Sequence, residues 1–150
     1  MELEQESMSE SELDLTSGIN AFEAKDFTLA MRLLSPLADE GNPEAQYRMG
    51  MMYQNGLGKV KNDDYALKYM QASADQGHAY AQHGMGIMYL YGECVEKNEA
   101  TAVEWFKKAA EQGLVGSQLT LGMIYENGQG VEKNEVEAKR WYKLAEQNSQ

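Results

Sequence analysis

Cysteine is almost missing from this chain: Cys94 is the only one in 150 residues. An intramolecular disulfide is therefore excluded, which fits a reducing compartment. Proline is nearly as scarce, with two residues, so little of the backbone is barred from helices. No apolar run approaches the ~20 residues needed to span a bilayer. The opening MELEQESMSESELD has neither a basic start nor a hydrophobic stretch. It does not read as a secretory signal, and with Met1 taken as the natural start the expected location is cytoplasmic. The two histidines, His78 and His83, have no Cys, Asp and His cluster at ligand spacing beside them. No metal or other cofactor is expected. Bases are outnumbered, 13 Lys and Arg against 24 Asp and Glu, for a formal net charge of −11. Such a molecule repels nucleic acid and anionic lipid at long range, and a basic protein is the partner its charge attracts. Acidity also commonly serves solubility alone.

The charge is uneven. Glu2, Glu4, Glu6, Glu10, Glu12 and Asp14 fall in the first 14 residues with no base among them. The expected organisation is an acidic tail at 1–14 leading into the first helix, then one domain at 15–150.

What fills that domain is a repeat. Segments 43–78, 79–114 and 115–150 align end to end at a period of 36 residues. Identities fall in columns: Gln46, Gln82, Gln118; Gly50, Gly86, Gly122; Tyr53, Tyr89, Tyr125; Gly56, Gly92, Gly128; Asn62, Asn98, Asn134; Ala66, Ala102, Ala138. Each unit reads as a helix pair, A then B. Helix A ends at the Gly56 column, where a left-handed residue is wanted and a Cβ is penalised. The Asn62 column supplies N-caps, each followed by an acid suited to the positive end of the helix dipole. Helix B carries Ala66, Tyr69, Met70 and Ser73, and their equivalents, at three- and four-residue spacing. Small residues at the Gly50 and Ala66 columns let A and B approach closely. A partial unit at 15–42 precedes these, with a connection four residues shorter between its small residues, Gly18 and Ala30.

The stretches AQYRMGMMYQNGLG, GQGVEKN and AVEWFKKAAEQG resemble the Sel-1-like repeat family, a branch of the tetratricopeptide-like helical solenoids. The resemblance covers 43–148 well and 15–42 loosely. It implies an all-α, right-handed α-solenoid, here of four helix pairs. It also implies a non-catalytic protein-interaction module, often an adaptor in bacterial signalling and host contact. Some members staple every repeat with a cysteine pair and are linked to β-lactam binding or hydrolysis; this chain lacks those pairs, and that activity does not carry over. Two departures stand out: Lys59 replaces the Val95 and Val131 of the other loops, and the last unit ends EQNSQ rather than EQG.

Cys94 sits in the column of Gly58 and Gly130 with no nucleophilic partner nearby, so it reads as a structural replacement rather than a reactive thiol. GLGKV resembles part of a phosphate loop, yet GxxxxGK[ST] is absent and no strand precedes it; its equivalents recur as turns. Asp63 and Asp64 open a helix and read as dipole partners.

The second helix A, AYAQHGMGIMYLY, is apolar on two sides. Ala81, Met85 and Tyr89 follow the packing columns with Met88 close by, which leaves Tyr80, His83, Ile87, Leu90 and Tyr91 on another face. The same columns hold Tyr47, Met51 and Gln54 before it and Leu119, Met123 and Glu126 after it. Leu15, Ile19 and Phe22 extend the stripe. In solenoids of this kind helix A lines the concave surface, so these residues are the expected site for a peptide or helix of a partner protein. The competing reading packs several of them inside a tight superhelix. A second functional reading is an inhibitor or immunity-type protein that neutralises a basic cytosolic toxin or enzyme. A hydrolase is remote, for want of an acid, base and nucleophile constellation. The expected state is a monomer, or a weak homodimer through the terminal helix.

Overall fold

The computed structural model describes residues 7–150; Glu2, Glu4 and Glu6 of the acidic tail lie outside them. Among the described residues eight helices follow one another: α1 (Glu10–Glu23), α2 (Phe27–Asp39), α3 (Pro43–Asn55), α4 (Asp63–Asp75), α5 (Ala79–Tyr91), α6 (Glu99–Glu111), α7 (Val115–Asn127) and α8 (Glu135–Asn148). No strand occurs among the described residues. Each helix packs chiefly on its neighbours in sequence, the nearest-neighbour arrangement of a solenoid. Four pairs result, as the repeat requires.

The helix ends are written locally. Asn62, Asn98 and Asn134 each accept the backbone N–H three residues on, from Tyr65, Thr101 and Glu137. Gly56 closes α3 at φ 65°, a left-handed conformation in which a Cβ is strained. Helix α1 begins at Glu10, within the stretch 1–14 expected as a tail leading into the first helix, because Ser9 and Glu12 form a reciprocal capping box: the Ser9 hydroxyl accepts from the Glu12 N–H, and the Glu12 carboxylate accepts from the Ser9 N–H. That S-x-x-E signature lay inside the supposed tail.

Packing within a pair depends on the glycine column. A Cβ built on Gly86 would stand 2.6 Å from Cε1 of Phe106, a residue with no exposed surface. Ala81, Met85 and Met88 on α5 are equally buried. Between pairs, the glutamine column forms the joints. Gln46 donates to the Ala38 carbonyl at 3.1 Å, and Gln118 to the Ala110 carbonyl at 3.0 Å. Each also accepts an amide from the end of its own second helix, Gln76 for Gln46 and Asn148 for Gln118. Gln112 does the same for Gln82 and reaches the Gly77 carbonyl. Buried amides with partners on both sides fix how one pair sits on the last. Asn148 thus takes the place of Gln76 and Gln112, which accounts for part of the EQNSQ departure.

Candidate protein-binding face

The first helices of the pairs, α1, α3, α5 and α7, are tied to one another side by side. Arg48 on α3 reaches Glu23 of α1 at 3.0 Å and Glu44 of its own helix at 3.2 Å, with its guanidinium 4.9 Å from the Phe22 ring centre. Tyr47 stacks on His78 at 5.0 Å and lies 6.1 Å from Tyr80 of α5. His78 accepts the Ala81 N–H on Nδ1, so it caps α5, and its Nε2 faces the Glu44 carboxylate. His83 of α5 hydrogen-bonds Ser117 of α7 through Nδ1 at 2.7 Å and turns its ring edge-on to Phe106. Burial holds its pKa below the usual histidine value, so near neutral pH it is an uncharged packing residue.

The expected site residues divide by exposure. Tyr80 (59%), Tyr91 (65%), Leu119 (44%) and Met123 (51%) are open to solvent, and Glu126 is exposed with them. Tyr47, Met51, Gln54, His83 and Ile87 are half-buried. Leu90 does not belong to the face. It is 5% exposed and grouped with Val103 and Phe106 of α6 and Leu121, Ile124 and Tyr125 of α7. Its polar column partners stay less covered, Gln54 half-buried and Glu126 exposed; the apolar Leu90 is covered where the fourth pair closes over the third. Leu90 thus packs inside, while Tyr80, Tyr91, Leu119 and Met123 face solvent.

Glu93 borders the face from the loop after α5, and the stripe of columns, which runs along the first helices alone, missed it. Gln54 donates to Glu93, in the loop after α5, at 3.0 Å, and Glu126 accepts the Tyr142 hydroxyl at 2.7 Å. The signal that could have found it is its place in the chain, two residues past Tyr91 at the end of α5.

Cys94 lies off this face, in the turn after α5. Its φ is 62°, against 74° at Gly58 and Gly130, so the glycine column demanded a left-handed residue and cysteine occupies it under strain. The thiol donates to Asp63 Oδ1 at 3.4 Å. Burial first, then that carboxylate, push its pKa up to about 11. A raised pKa means the folded state favours the protonated form. The thiol's contribution to stability is therefore full below the unfolded-state value and is lost as pH climbs through 11. Iodoacetamide at pH 8 is expected to alkylate the folded protein about 100-fold more slowly than the urea-unfolded chain, following thiolate fraction. Equal rates would make Cys94 a reactive thiol.

Comparison with known proteins follows the same repeat. The family model for the Sel1 repeat matches residues 43–78, 79–114 and 116–149. A Sel1 repeat protein from Oxalobacter formigenes is similar at 36% identity and TM-score 0.85, over 90% of this chain and 54% of that one. The c5321 protein, a protective antigen of uropathogenic Escherichia coli with an SLR fold, matches at 30% identity and TM-score 0.85, over 91% of this chain and 30% of its own. Helicobacter pylori cysteine rich protein B, at 18% identity and TM-score 0.60 over 93% and 89% of the two chains, shares the fold alone. No curated protein matches. The chain thus spans about half, or less, of the two nearer structures. The 36-residue period, the glycine-closed first helix and the asparagine-capped second one recur wherever the family model matches, and on this ground the chain belongs to the Sel1 repeat family.

Proposed function

We propose that this protein is a non-catalytic interaction module that holds a segment of another protein against the face of α1, α3, α5 and α7. Repeats of this family generally mediate protein–protein interaction, and the family is typically a scaffold without catalysis. The observation that carries the reading is the exposure of Tyr80, Tyr91, Leu119 and Met123 on these first helices. Water-facing aromatic and methionine side chains gathered on one surface are what a docking partner covers. Among the described residues no helix is long and apolar enough to cross a membrane, so this face is not accounted for by lipid around a spanning helix.

The test separates docking from packing. Tyr91, Leu119 and Met123 are the residues to change, because Ile87 is half-buried against the core as well. The triple variant Tyr91→Ser, Leu119→Ser, Met123→Ser is expected to keep its helical signal and to shift stability little, as exposed positions usually do. Partners retained by the wild type from its own cells should be lost, since aromatic and apolar anchors often contribute ~2 kcal/mol or more each. Quantitative mass spectrometry of affinity-purified material, beside a thermal melt, reads both. A variant that melts like the wild type and retains the same partners would sink the reading.

A further inference from the structure

The charge on this face names the partner's chemistry. The inference rests on the docking reading above. α1, α3, α5 and α7 together carry six acids and a single base, Arg48. That base is not free: its side chain is 13% exposed and held by the carboxylates of Glu23 and Glu44. Every other Lys and Arg of the chain lies on a second helix or in a connection. The second helices carry both signs, with Lys107 and Lys108 on α6 and Lys139, Arg140 and Lys143 on α8. The bases of the molecule are thus sorted by helix: α5 and α7, which carry the exposed apolar residues, hold no base and one acid, Glu126. Glu93 and Glu126 stand at its edge, both exposed, where a bound segment's flanks would lie.

The backbone of the bound segment is the second constraint. Helices satisfy their own N–H and C=O groups, so this face offers no strand edge to pair with. Two of its side-chain amides are engaged as well: Gln54 on Glu93, and Asn55 on the Met51 carbonyl. An extended peptide would find few partners for its main chain, whereas a helix brings its own already paired. We infer that the face takes an amphipathic basic helix of another protein, apolar on the docked side and with Lys or Arg along its flanks. Two steps between neighbouring first helices come to about 20 Å at ordinary helix spacing, and a helix of about 14 residues covers that distance.

Three 18-residue amphipathic peptides test this, with one shared leucine stripe and flanks of Lys, Gln or Glu. Titration in 50 mM NaCl is expected to give the Lys peptide an affinity at least ~10-fold above the Gln peptide, with the Glu peptide weakest. The gap should narrow in 500 mM NaCl, where screening reaches within a few ångströms. It should narrow also in Glu93→Lys with Glu126→Lys. The Tyr91→Ser, Leu119→Ser, Met123→Ser variant should lose both the Lys and the Gln peptides. A Gln peptide that binds as well as the Lys peptide, and is lost in the serine variant, overturns the basic partner and leaves the docking face standing. A Lys peptide that binds the serine variant unchanged overturns both, because charge alone then holds it elsewhere. No binding by any of the three overturns the inference, and the docking reading is then judged by its own partner-retention test.

Discussion

Gly86→Leu is expected to unfold the protein at a markedly lower urea concentration, with a loss of at least about 1–3 kcal/mol from overpacking. The position has no slack. The first added carbon would meet the Phe106 ring at 2.6 Å, and two more ring atoms lie within 2.8 Å. Phe106 cannot swing aside, since it has no exposed surface and the His83 ring stands against it at 5.1 Å between centres. The remaining escape is for α5 and α6 to move apart, which weakens the joints on both sides in a nearest-neighbour array. Urea unfolding followed by circular dichroism checks it. An unchanged midpoint would mean that α5 and α6 do not approach through Gly86.

Phe106→Ala should cost more, about 3–5 kcal/mol, because it removes a large buried ring and leaves a cavity. Val103, Ala110 and Leu121 share its cluster, and helices held by their neighbours at both ends collapse only partly into the void. Combining the two changes gives a sharper result. Leucine at 86 projects into the space that the phenylalanine vacates, so the double variant should be more stable than the sum of the two losses predicts. Residues in contact couple by roughly 0.5–3 kcal/mol. Strict additivity in a double-mutant cycle would show that the two side chains do not share one volume. The same logic extends to Gly122, where a Cβ would stand 2.5 Å from Tyr142 Cε1.

Much of this was legible in the order of residues. Local chemistry determined the helix ends: asparagine amides at 62, 98 and 134 cap, and glycines at 56, 92 and 128 close at positive φ. The recurrence of whole columns determined the repeat, because stacked copies of one unit must bury the same positions. It also marked Cys94 as a stand-in for glycine, which its φ of 62° bears out. The capping box at Ser9 is equally local, although acids dominate the stretch around it.

Tertiary structure decided the rest. Gln46, Gln82 and Gln118 form an evident column, yet nothing local says that a polar side chain should be buried. Their bonds go to the preceding pair and to residues 30 further on, so only stacking defines them. Leu90 and Tyr91 are adjacent on one helix and the repeat pattern puts them on one face, yet one is buried and the other is 65% exposed. Helical periodicity gives the angle at which a side chain leaves its own axis. It does not say how far the next pair rotates and closes over it, and that rotation separates the interior from the surface left for a partner.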